Sequence, residues 1–91
     1  MKHVSITVSG RVQGVFFRAS AKNKADELGV HGSVRNNEDG SVSIEAEGDE
    51  LSIEKFIAWC RIGPKLSRVD HCDVLERDLQ HLRGYYISRE S

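Results

Sequence analysis

Cysteine is scarce in this chain, and neither sign of charge dominates it. Two cysteines, Cys60 and Cys72, stand among 91 residues. They are too few for a disulfide framework and lack the spacing of a zinc site. Both are expected as reduced, buried thiols, since each continues an inward-facing stripe, with a disulfide between helix and sheet as the other reading. The four histidines, His3, His31, His71 and His81, are scattered without metal-ligand spacing. They read as surface or structural residues, and no metal or cofactor is expected. A net charge of −1 gives no general pull toward nucleic acid or anionic lipid, so an anion site here has to be built by local geometry. No apolar run approaches a membrane span and no signal-peptide core stands at the N-terminus, which points to the cytoplasm and away from membranes. What is present is 38% hydrophobic and 30% charged residues. That is the composition of a folded chain, and residues 1–91 are expected to form a single domain.

Periodicity then divides the chain. His3 to Ser9 alternates apolar and polar residues, as a half-buried strand does. From about Ala19 to Leu28 the pattern becomes helical, with Phe17, Ala21, Ala25 and Leu28 on one stripe and Gly29 as the stop. Val30 to Asn36 and Ser41 to Glu47 read as two strands, and Asp39-Gly40 between them is a hairpin signal. Asp49 can cap a second helix over roughly 50–62, with Ile53, Phe56, Ile57 and Cys60 inward and Gly63-Pro64 ending it. Trp59 reads as packing. Val69, Cys72 and Val74 belong to a fourth strand whose phase slips between 69 and 72, which predicts a bulge. Residues 78–83 form a polar connection, and Tyr85 and Ile87 point inward from a short last strand. The order implies an α+β fold, a ferredoxin-like βαββαβ sandwich with an extra C-terminal strand. Its antiparallel sheet would be covered on one face by two helices.

The stretch from Gly10 through Gln13, Gly14, Val15, Phe16 and Phe17 to Arg18 joins the first strand to the first helix. A glycine-containing turn can aim several backbone N–H groups inward at a helix N-terminus, where anions are favoured. Arg18 falls in the first helical turn, where the helix dipole disfavours a cation. An anion shared by the guanidinium and the N–H groups would account for it. An ordinary glycine turn with a solvated arginine is the other reading. Neither GxxxxGK[ST] nor GxGxxG is present. A right-handed crossover would make the first two strands parallel, with the third between them. Asn36 then lies at the same sheet edge as the glycine loop, roughly 10 Å away. Its amide could hold a water, or it could serve its own turn.

The segment Gly10-Arg11-Val12-Gln13-Gly14-Val15-Phe16-Phe17-Arg18 resembles the first signature of the acylphosphatase family. Gly32 to Val42, carrying Asn36, resembles the second. Their separation and the order of elements also match, so the resemblance covers nearly the whole chain. It implies the acylphosphatase variant of the ferredoxin-like fold and hydrolysis of small acyl phosphates. Catalysis would rest on Arg18 and Asn36, and inorganic phosphate would be product and inhibitor. Two positions depart from the family pattern. Ser33 stands where an aromatic is usual, and Ala21 where threonine is frequent.

The chemistry implied needs little machinery. A carboxylate leaves readily, and phosphoryl transfer asks mainly for positioning and charge stabilisation. The N–H groups of Gln13 to Arg18 with the Arg18 guanidinium would hold the phosphoryl group, and Asn36 would orient water. Arginine cannot act as the base. The substrate's own phosphate is favoured for that role, with Asp39 as an alternative that the hairpin turn also explains. Two other functions share the topology. An RNA-binding module needs aromatics on the open sheet face, where this chain carries Ser5, Thr7, Ser43 and Glu45. A non-catalytic acyl-phosphate-binding module is expected inside larger proteins. With no evident apolar surface stripe, a monomer is expected.

Overall fold

The strands alternate because one face of the sheet has helices to bury against and the other does not. In the computed structural model, which describes residues 1–88, seven elements follow in chain order. These are β1 (Lys2–Arg11), α1 (Phe17–Leu28), β2 (His31–Asn36), β3 (Val42–Gly48), α2 (Glu50–Cys60), β4 (Arg68–Arg77) and β5 (Tyr85–Ile87). The sheet order is β4-β1-β3-β2-β5. β1 and β2 both run antiparallel to β3 and so are parallel to each other, with their C-terminal ends on one edge. β5 pairs parallel to β2, so the sheet is mixed and not purely antiparallel. α1 packs over β2 and β5, and α2 over β1 and β3. The core between the layers holds Val4, Ile6 and Val8 of β1, Val42, Ile44 and Ala46 of β3, and Phe17, Ala21, Ala25, Ile53, Phe56 and Cys60 of the helices. Ala21, the family's frequent threonine, is fully buried here.

The helix ends obey local chemistry. Asp49 caps α2 by accepting from the Ser52 N–H at 2.8 Å, and Gly29 closes α1 in the left-handed conformation. α2 stops at Cys60, two residues before its expected end, and Ile62 is exposed. The expected bulge is present: Ser9 pairs His71 and Gly10 pairs Val69, leaving Asp70 as the extra residue. Gly10 therefore belongs to β1 and serves this bulge, with φ 121° and the Arg68 carbonyl where a Cβ would stand. It is part of the strand and not the start of the joining stretch.

β4 is the edge strand on that side, and α2 packs mainly over β1 and β3. Val74 faces the helix side, opposite Ile6, yet is 36% exposed, and Cys72 is only half-buried. The expectation that both thiols are buried holds for Cys60 alone. Residues 78–84 then cross from one sheet edge to the other over the end of β3. The Gln80 and Leu82 N–H groups donate to the two Glu47 carboxylate oxygens at 2.6 and 2.7 Å. His3 lies beneath, its ring nitrogens 3.2 Å from Glu47 Oε2 and 2.8 Å from Glu45 Oε1. His3 and Glu47 sit on the face that alternation marks as wet, and both are buried.

Candidate active site

Between the end of β1 and the start of α1 the backbone makes a strained turn. Gly14 has φ 74° and Phe16 φ 63°, so alternate residues are left-handed. Such alternation turns successive N–H groups to one side and forms an anion-binding concavity. Glycine adopts this conformation freely, but phenylalanine does so at a cost of roughly 1–2 kcal/mol. Phe16 is also the N-cap of α1, and no side chain caps the helix there. The first turn carries no acidic residue. The first loop-to-helix bond is from the Ser20 N–H to the Phe16 carbonyl at 3.0 Å. The free N–H groups before Ser20 form a donor cluster at the positive end of the helix.

Neighbours hold this loop in place. Phe17 is buried against Trp59 of α2, with ring centroids 5.3 Å apart, and Val15 is buried in the core. Arg18, next in sequence to the Phe17 anchor, lines a cleft of about 340 Å³. Among the described residues no carboxylate pairs with its guanidinium. Gln13 turns away from the cleft. Its Nε2 donates to the carbonyls of Asn37 and Ser41 at 2.8 and 2.9 Å, bracing the loop against the β2–β3 hairpin.

Asn36 ends β2 on the same cleft. The hairpin's bonds are made by its neighbours. Asn37 Nδ2 donates to the Ser41 and Ser43 hydroxyls, the Asn37 N–H to the Ser41 carbonyl, and the Gly40 N–H to the Asn37 carbonyl. Asp39 accepts from the Ser41 N–H and hydroxyl. Those bonds hold its carboxyl below the ordinary range, and it does not line the cleft. Asn36 Oδ1 is buried and, among the described residues, unpartnered. A buried acceptor without a donor is costly, so the turn does not explain this side chain.

Of the residues expected at the site, Gly14, Phe16, Phe17, Arg18 and Asn36 line the cleft together, while the side chains of Gln13 and Val15 do not. Val12, Ala19 and Ile87 also line it. Ile87 carried a sequence signal only as a core position. Nothing local reveals that β5 returns beside β2. Ser33 gives its carbonyl to the Tyr85 hydroxyl at 3.1 Å, on β2 short of the cleft. No group of three or more His, Cys, Asp or Glu side chains disposed to hold a metal occurs among the described residues. Among them, no helix is long and apolar enough to cross a membrane.

Known proteins match this geometry and sequence. The acylphosphatase family model matches residues 4–87. The chain is 57% identical over 76 residues to the acylphosphatase of Methylococcus capsulatus, covering 84% of this chain and 83% of that protein. It is 48% identical over 84 residues to that of a Nocardioides species, covering 92% and 85%. The crystal structure of acylphosphatase from Bacillus subtilis superposes with a TM-score of 0.93 at 37% identity, covering 97% of this chain and 99% of that one. By sequence over most of its length and by fold, the chain belongs to the acylphosphatase family.

Proposed function

We propose that this chain hydrolyses the carboxyl-phosphate bond of small acyl phosphates, releasing a carboxylate and inorganic phosphate. One observation carries the reading: Arg18, at an uncapped helix N-terminus, shares a cleft with the buried, unpartnered Oδ1 of Asn36. The N–H groups of the 13–18 loop and the guanidinium match the equatorial oxygens of a phosphoryl group, where charge gathers in the transition state. The Asn36 oxygen accepts a hydrogen bond from the attacking water and aligns it in line with the leaving group. The carboxylate leaves without a general acid. The substrate's phosphate takes the water proton, since Arg18 cannot and Asp39 is engaged in its turn.

In this mechanism no step calls on a metal, so turnover is expected to persist in EDTA. Inorganic phosphate occupies the same loop as product and inhibits competitively. The protein acts as a monomer in the cytoplasm, without nucleic-acid or membrane partners. The open face opposite the helices supports the exclusion of RNA, for among the described strand residues it carries Ser5, Thr7, Ser43 and Glu45 and one exposed aromatic, Tyr86 on the edge strand, too little for a stacking platform. The experiment is phosphate release from benzoyl phosphate and acetyl phosphate by purified protein with and without EDTA. Turnover of neither substrate overturns the function. Loss in EDTA, restored by a divalent ion, overturns the mechanism.

A further inference from the structure

We infer that the Phe16 side chain reads the acyl group, selecting flat, apolar acyl phosphates; this rests on the reading of the cleft proposed above. The cleft has a polar centre, formed by Arg18, Asn36 and the loop N–H groups, and apolar flanks. Its large apolar residues are Val12, Phe16, Phe17 and Ile87. Val12 and Phe17 are buried in the core and hold the floor, whereas the Phe16 ring is 75% exposed.

In-line transfer separates the exposed Phe16 from the partly buried Ile87. The leaving acyl oxygen lies across phosphorus from the attacking water. A water held by Asn36 sends the acyl group away from the β2 edge. Ile87 lies on the Asn36 side, because β5 pairs there and Ile87 stands opposite Val34. Phe16 belongs to the other bank, the loop that leads into α1.

Neither folding nor backbone chemistry accounts for a phenyl ring at this position. The left-handed backbone at φ 63° favours glycine or asparagine, and the exposed ring adds little to the core. The N–H of residue 16 serves phosphate whatever its side chain is. The phenyl ring thus adds an apolar plane at the rim of a phosphate site, and an aromatic acyl group stacks there with gain from burial and ring packing.

The test compares kcat/KM for benzoyl phosphate with that for acetyl phosphate in the wild type, Phe16→Ala, Phe16→Gly and Phe16→Leu. The benzoyl-to-acetyl ratio is expected to fall about tenfold in Phe16→Ala and Phe16→Gly, and to recover partly in Phe16→Leu. Phe16→Gly suits the left-handed backbone, so it separates the ring from the strain even if Phe16→Ala folds poorly. An equal loss on both substrates assigns the ring to loop conformation and overturns the proposal. An unchanged ratio overturns it too. A wild type inactive on both substrates defeats the underlying reading of the cleft instead.

Discussion

Gln13 and Asn37 join the two halves of the cleft: the Gln13 side-chain amide donates to the Asn37 carbonyl at 2.8 Å and, with its other proton, to the Ser41 carbonyl at 2.9 Å. Arg18 follows Gln13 on the loop, and Asn36 precedes Asn37 on the strand. The brace therefore fixes the distance between the proposed phosphate grip and the proposed water grip. Displacements near 1 Å can cost about a hundredfold in rate. Gln13→Ala is expected to lower kcat at least tenfold while the phosphate inhibition constant moves less. Gln13→Glu, which sets an acceptor against two carbonyls, is expected to be worse. Steady-state kinetics with phosphate as inhibitor checks this, and a normal kcat in Gln13→Ala removes the brace from the mechanism.

Arg18 and Asn36 should fail in different ways. Arg18→Gln is expected to weaken turnover and phosphate inhibition together, since in the proposed mechanism the guanidinium holds the group common to substrate and product. Asn36→Ala lowers kcat and kcat/KM together by about a hundredfold with little change in KM, as expected for a contact made in the transition state. Phosphate still binds that variant. Its stability is expected to be unchanged or raised by about 1 kcal/mol, because an unpartnered buried acceptor is removed. Kinetics and urea denaturation of the same two proteins test both statements. A near-normal kcat in Asn36→Ala removes the residue from the mechanism.

Acid should loosen the crossover segment. Burial alone would raise the Glu47 carboxyl, but the Gln80 and Leu82 N–H groups and His3 outweigh it and hold it below its ordinary value of 4.5. A carboxylate with a lowered folded value stabilises fully above its ordinary value, and that stability is lost as pH falls through the folded one. Glu47→Gln leaves one N–H facing an amide group and is expected to cost about 1–3 kcal/mol at pH 7. The gap to the wild type should narrow as pH drops below about 4.5. Urea midpoints measured from pH 3 to 7 would show it, and parallel curves would contradict it.

The thiols should differ in reactivity. Cys60 and Cys72 are both free. Burial pushes the Cys60 thiol far up and, more modestly, the half-buried Cys72 thiol. Thiolate is the reactive form. A native protein treated with a thiol reagent should therefore modify Cys72 slowly and Cys60 only after unfolding. Mass spectrometry of the labelled chain checks the order. Equal labelling of both in the native state would contradict the packing of α2 on the sheet.

The elements, their order and the residues at the two ends of the cleft are legible in local signals. Alternation from His3 to Ser9 and from Ser41 to Glu47, Asp39-Gly40, Gly29 and Asp49 are local signals, and each acts within a few residues of itself. The loop from Gln13 to Arg18 and the end of β2 at Asn36 lie at positions the motifs mark, so their meeting follows from the handedness of one crossover. Only the tertiary structure decided what covers each face. His3 and Glu47 alternate as wet residues, yet the 78–84 crossing buries them, while Val74 alternates as dry and stays partly exposed because it lies on the edge strand and α2 packs mainly over β1 and β3. Period-2 patterning says which residues share a face but not what lies against it. The same limit hid the parallel pairing of β5, the place of Ile87 in the cleft, and the turn of Gln13 toward the hairpin. Each is a contact between segments distant in sequence, fixed by how the layers close and not by the residues on either side.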